Sequence, residues 1–349
     1  MTSDIDLLRK LSNAHGVSGS EGSLTAVIRK ELKGCISEIR EDAMGNLIAI
    51  KKGNTFKVMI AAHMDEIGLV VKFIDDKGFI RFAAIGGWYA PTLYNQRVVL
   101  HGTKGPCYGV IGGKPPHMMD EEERKKGVKT DDMFIDAGAT NREEVENLGI
   151  TVGTPVTVDR EFATLANNRV TGKAFDNRAG VAVLIRTLQR VKSPYTICGV
   201  FTVQEEVGLK GARTSAYALD PDIAIATDVT IPGDHPGIEM KDAPVGMGKG
   251  PVITILDSSG RGLIAHKAVV NWLKGVADMN DIPVQLEVGT GGTTDATAIH
   301  LTKGGIPSTT ISIPSRYIHS PVEVLDMADI DAAVTLLTEA LKTKPVIRK

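Results

Sequence analysis

Residues 195–211, YTICGVFTVQEEVGLKG, set two adjacent carboxylates at the end of a run that has to be buried. Residues 196–203 are apolar and β-branched with no polar alternation, the pattern of a strand covered on both faces. Like charges as close as Glu205 and Glu206 resist joint ionisation unless a cation or hydrogen bonds offset them. Either they point apart, one into a site and one elsewhere, or both face a strongly electropositive centre, most simply metal. The rest of the chain is read for the other ligands of such a centre.

The chain begins with helical apolar spacing over residues 5–13 and again over 20–32. Strands are expected at 36–41, 47–51 and 56–62, the last running into His63, Asp65 and Glu66. From Gly68 the texture changes to short strand patterns at 69–74, 79–84, 96–102, 107–111, 133–136 and 155–158, separated by Gly, Pro and Asp turns. That pattern predicts a small β-barrel or sandwich. The charged segment 118–129 inside it reads as a solvated loop or short helix, with a gate or assembly contact as the alternative. After about Arg160 the α/β rhythm returns: helices at 181–191, 212–218, 267–279 and 328–344, and strands at 223–226, 252–256, 284–288 and 309–313.

Chemistry-bearing residues recur just past these strands. His63 and Asp65 follow one, Glu205 and Glu206 another, Asp228 a third and His319 a fourth, while Asp176 stands before a helix. In open α/β sheets the carboxyl ends of the strands form the ligand crevice, so the topology is expected to gather these side chains. Two imidazoles and several carboxylates suit a divalent N/O site, zinc or cobalt above magnesium, and a shared carboxylate lets five ligands hold two ions. Asp65 is placed to take the second ring N–H of His63, a common arrangement behind a ligating histidine. Each residue also has an ordinary role: Asp176 a helix N-cap, Asp228 a turn aspartate, His63 a satisfied core histidine. Their joint recurrence at element ends favours the site. Arg261, Arg316 and Tyr317 are weaker candidates for substrate contacts. The loop at 289–296, GTGGTTDA, resembles an anion-binding turn but lacks the Lys-Ser/Thr ending of a phosphate loop.

A formal net charge of −2 gives bulk attraction to neither nucleic acid nor anionic membrane. Three scattered cysteines provide no disulfide framework. No apolar run approaches the ~20 residues of a membrane span, and the first residues read as an amphipathic helix rather than a signal peptide. A cytoplasmic location is the expectation.

Taken in order, AAHMDEIG, GKAFDNRAG, TVQEEVGLKGA, ATDVT, GGTTDATAIH and RYIHSPVE resemble the dinuclear metalloaminopeptidases that assemble as tetrahedral dodecamers. Glutamyl, leucyl and deblocking aminopeptidases belong to that family, and some members carry endoglucanase labels. The resemblance spans essentially the whole chain. It implies a phosphorylase/hydrolase-like α/β domain, with a mixed sheet flanked by helices, formed by residues 1–67 plus 161–349. Residues 68–160 would be an inserted β-barrel, PDZ-like dimerisation domain. It implies two divalent ions, zinc first and cobalt or manganese as alternatives. His63 and Asp228 would hold one ion, Glu206 and His319 the other, with Asp176 bridging, Asp65 orienting His63 and Glu205 acting as general base. The implied activity removes N-terminal residues from peptides with a free amino end, through a hydroxide bridging the two ions.

Two rivals remain at this stage. A glycoside hydrolase needs carboxylates ~5–9 Å apart, an unpromising demand on sequence neighbours. Aromatic residues are only 5% of the chain, too few to suggest sugar platforms, and the histidines would have no task. A non-catalytic scaffold conflicts with the complete ligand set. For the first residue of the peptide, an aliphatic or broad preference is expected over an acidic one, because no basic cluster marks the motifs.

Overall fold

A computed structural model describes residues 3–347, without the side chains of Glu123 and Lys126. Helix α1 (Asp4–Asn13) starts where the Ser3 hydroxyl accepts the Asp6 N–H at 3.1 Å, and it buries Leu7, Leu8 and Leu11. After α2 (Gly22–Glu31) come strands β1 (Glu38–Glu41), β2 (Leu47–Lys51) and β3 (Asn54–His63). The chain then forms β4 (Gly68–Ile74), β5 (Ile80–Ile85), β6 (Arg97–Gly102), β7 (Gly105–Gly112), β8 (Phe134–Asp136) and β9 (Pro155–Val158). These six close an antiparallel barrel in the order β4-β5-β8-β7-β6-β9. Of the two architectures its short strands allowed, the barrel is realised. It has its own core, including Leu69, Ile80, Leu100, Ile111, Ile135 and Val156. The charged segment contributes only the six-residue helix α3 (Glu121–Lys126), and α4 (Arg142–Asn147) follows.

The remaining strands are β10 (Ala163–Thr164), β11 (Arg169–Gly172), β12 (Tyr195–Thr202), β13 (Ile223–Thr230), β14 (Val252–Leu256), β15 (Gln285–Val288), β16 (Ser308–Arg316) and β17 (Glu323–Asp326). With β1–β3 they make an 11-stranded mixed sheet, ordered β1-β2-β12-β3-β13-β16-β17-β11-β10, with β14 and β15 joined through β16. At its centre β3 runs parallel to both β12 and β13. Period-two alternation sends Val58, Ile60 and Ala62 to one face and Met59 and Ala61 to the other. The first face packs against α1, α2, α5 (Phe175–Arg190), α7 (Lys267–Met279) and α9 (Met327–Ala340). The second packs against α6 (Lys210–Leu219) and α8 (Asp295–Ile299). This double cover is why 196–203 reads as unbroken apolar sequence.

Two placements differ from expectation. Asp228 lies inside β13, not past its end: β13 leaves β3 after Ala226 but stays paired with β16 as far as Thr230. Freed from β3, that segment opens toward the crevice. Asp176 falls within the first turn of α5, with φ −77° and ψ 99°, outside helical values. The capping role belongs to Asn177, whose Oδ1 accepts the Gly180 N–H at 2.9 Å.

Candidate metal centre

His63 ends β3, paired with Thr202 at the end of β12, so the two neighbouring strands deliver the imidazole and the Glu205-Glu206 turn side by side. The buried Asp65 ties them together. Its carboxylate accepts the backbone N–H of Glu205 at 3.0 Å and of Glu206 at 3.2 Å, together with the Ser18 hydroxyl at 2.7 Å. His63 Nδ1 lies 3.2 Å from the Asp65 carbonyl and 3.5 Å from its carboxylate. That fixes the ring and turns Nε2 into the crevice.

Around that nitrogen stand Asp176 Oδ1 at 3.1 Å, Glu205 Oε2 at 3.8 Å and Asp228 Oδ1 at 3.8 Å. The second oxygen of Asp176 turns the other way, 3.3 Å from His319 Nε2, which is also 3.2 Å from Glu206 Oε2. The paired acids therefore diverge, Glu205 toward His63 and Glu206 toward His319. Asp176 spans both groups. Donor atoms of His63, Glu205 and Asp228 lie within 4.8 Å of one another, as do those of His63, Asp176 and Glu206. By proximity Glu205 is as close to His63 and Asp228 as a ligand would be.

The electrostatics call for cations. Four buried or nearly buried carboxylates face two imidazoles. Burial, with the neighbouring acids, pushes Glu205 and Asp228 well above the usual carboxylate range and raises Glu206. Burial disfavours a charged His63, yet Glu205 and Asp176 outweigh it and raise the ring well above its ordinary value. Hydrogen bonding to Asp176 and Glu206 lifts His319 to about 11. Glu206 Oε1 is buried with no hydrogen-bond partner. An uncompensated buried carboxylate oxygen beside clustered N and O donors is what a hard or borderline divalent ion satisfies, so the residues fit divalent metal.

The centre opens into a cavity of about 720 Å³. Residues 289–294 form part of its wall, as expected for the Gly/Thr loop, and Ile318 and His319 form another part. Arg316 is instead paired with Asp234 at 3.0 Å, and neither it nor Arg261 lines the cavity. His235 packs against Tyr317, ring centroids 5.5 Å apart, also away from the lining.

Several contributors escape a motif reading. Glu323 Oε2 accepts the Asp176 N–H at 2.7 Å. Lys173 binds both oxygens of Glu66, at 2.9 and 2.7 Å, and Arg178 adds a third contact at 3.2 Å. The barrel strand β5 leads into Gly86 and Gly87, which press on the centre: a Cβ on Gly87 would stand 2.9 Å from His319 Nδ1. Lys173, Arg178 and Glu323 sit inside the quoted motifs, so their positions were signalled although their tasks were not.

A family model described as M42 glutamyl aminopeptidase matches residues 45–336. The chain belongs to the M42 aminopeptidase family. It is a hydrolase acting on peptide bonds. An aminopeptidase-named relative from Acetivibrio thermocellus is 45% identical over 96% of this chain and 98% of its own. The solved structure of an aminopeptidase from the archaeon Desulfurococcus kamchatkensis superposes with a TM-score of 0.93 at 44% identity, covering 98% of this chain and 95% of that one. The TET1 peptidase of Pyrococcus horikoshii, which can assemble into a tetrahedron or a large octahedral shell, superposes at 0.87 with 34% identity, over 97% and 99% of the two chains. Among the described residues of this M42 chain, no helix is long and apolar enough to cross a membrane.

Proposed function

We propose that this M42 protein is a dinuclear metalloaminopeptidase in which His63 and Asp228 hold one ion, Glu206 and His319 the other, and Asp176 bridges them. The carrying observation is the split of Asp176, one carboxylate oxygen toward His63 and the other toward His319. Zinc, with cobalt or manganese as alternatives, suits these N and O donors. Metal bound by these residues would supply Lewis-acid polarisation of the scissile carbonyl and acidify a water for attack.

Glu205 acts as the general base. Its carboxylate reaches the cavity beside His63 while Asp65 fixes its backbone, so it can take a proton from the attacking water and return it to the departing amine. Asp65 holds His63 in one ring orientation. Cleavage is confined to the first residue because the centre, rich in carboxylates, also receives the free α-amino group.

The expected test pairs two variants. Glu205→Gln retains both ions and loses turnover by about 10²-fold or more, whereas His319→Ala loses one ion. Elemental analysis beside hydrolysis of an aminoacyl-nitroanilide reads both, and an active, metal-free Glu205→Gln protein would refute the scheme. A glycan-cleaving alternative gains no support, since among the described residues no Phe, Tyr or Trp lines the cavity. Trp88 is occupied by the Gly68 carbonyl and Trp272 by the Thr343 hydroxyl.

The chain is further proposed to divide into a catalytic domain, residues 1–67 plus 161–349, and an inserted dimerisation barrel, residues 68–160. The barrel would pair two subunits, and six such dimers would close a tetrahedral shell, as the likeness to the TET1 peptidase supports. Light scattering should then report about twelve times the 37.2 kDa chain mass; a monomer at micromolar concentration argues against assembly. A cytoplasmic location agrees with this reading.

A further inference from the structure

The cavity extends past the metal centre, and its far end has a chemistry of its own. Beyond the four carboxylates of the centre it is lined by Asp242, Asp257 and Glu287, and, among the described residues, by no lysine or arginine. Asp242 stands exposed at the rim. Asp257 is buried, and its oxygens take the Leu263 N–H and the Thr297 hydroxyl, so it supplies charge from behind. Glu287 is half-buried on β15, with Oε1 accepting the Thr230 hydroxyl at 2.7 Å.

Thr230 fixes how far Glu287 lies from the chemistry. It sits two residues beyond Asp228 on β13, on the same face of the strand. Two residues of strand span roughly 6.6 Å. A side chain with a four-carbon stem, held by its α-amino group at the centre, carries its charged head about that far. Ile231 and Ile238 line the same cavity and give the stem apolar contact.

We propose that Glu287, backed by Asp257, selects peptides whose first residue is lysine or arginine. This rests on the aminopeptidase reading above and names its substrate class. Burial, then the neighbouring Asp257, holds the Glu287 carboxyl above its ordinary value, and burial does the same to Asp257. A substrate ammonium or guanidinium between the strands relieves both. The motifs gave no hint of this, because Glu287 lies outside all of them.

The test compares lysyl, arginyl, norleucyl and glutamyl nitroanilides on the metal-loaded enzyme. Norleucine matches the lysine stem without its charge. The expected result is kcat/KM for lysyl and arginyl at least tenfold above norleucyl, with glutamyl lowest. Glu287→Gln should shrink the lysyl-to-norleucyl ratio at least tenfold, chiefly through KM. Norleucyl equal to or better than lysyl in the unaltered enzyme, or a ratio unmoved by Glu287→Gln, overturns the proposal. Calorimetric binding of free L-lysine against L-norleucine gives a reading independent of turnover: lysine should bind at least tenfold tighter, and equal binding also overturns it. Absence of any hydrolysis, by contrast, counts against the aminopeptidase reading.

Discussion

Gly87 lacks a side chain where His319 leaves no space for one. The ring nitrogen Nδ1 would stand 2.9 Å from an added Cβ, and His319 itself already holds a left-handed backbone, φ 61°. Gly87→Ala is therefore expected to push the imidazole off Asp176 and Glu206. Ligand support of this kind is worth about 10–100-fold in metal affinity or activity. Metal titration should show one weakened ion per subunit with the fold intact by circular dichroism; full retention of both ions would contradict the geometry. The same scale shows why single residues mislead. An aspartate at the head of a helix is ordinarily a cap, yet Asn177 caps α5 and leaves both Asp176 oxygens to the two histidines.

Between elements, Glu66 joins α1, β3 and α5. Its side chain accepts from Lys173, Arg178 and the Gly16 N–H, and all three charged side chains are buried. Lys173 in turn donates to the Ala14 carbonyl, and Arg178 to the Leu11 carbonyl, both near the end of α1. Lys173 and Arg178 flank Asp176 in sequence, so this network seats the carboxylate that faces both His63 and His319. Removing one partner of a buried pair leaves the other charge uncompensated, at a cost of about 3–5 kcal/mol. Glu66→Ala should lower the denaturant midpoint accordingly, and an unchanged midpoint would show that the network carries little stability. The order of strands could be anticipated only in part. Hydrophobic runs marked β3, β12 and β13, whereas β10, β11 and β17 are short and polar enough to pass for loops.

Across the whole molecule, the seam between the barrel and the connection from α1 to α2 runs through Thr157, His101 and His15. The Thr157 hydroxyl lies 2.9 Å from a nitrogen of each ring, and the ring centroids are 4.5 Å apart. Burial, then the nearby Lys173 and His101, lowers His15 from 6.5 to about 4. The folded protein thus keeps His15 neutral where the unfolded chain is protonated. Its contribution is complete above pH 6.5 and is lost as pH falls from there toward 4. Thermal unfolding of His15→Gln should depend less on pH across that window than the unaltered protein; parallel curves would remove His15 from the seam's titration.

Sequence alone brought forward the acids and histidines that the fold gathers around one crevice, because their recurrence near the ends of buried elements is a local signal. It determined the change from α/β to short-strand texture as well, since turn residues and short strand runs are local signals, but closure into a barrel belongs to the structure. Only the tertiary structure decided which acid faces which histidine, that Asp65 ties the paired glutamates to β3, and that Gly87 of the barrel touches the centre. It alone brought Glu287 to Thr230 across 57 residues of chain. Sheet pairing and barrel closure create those contacts between segments far apart in sequence, and local periodicity carries no record of them.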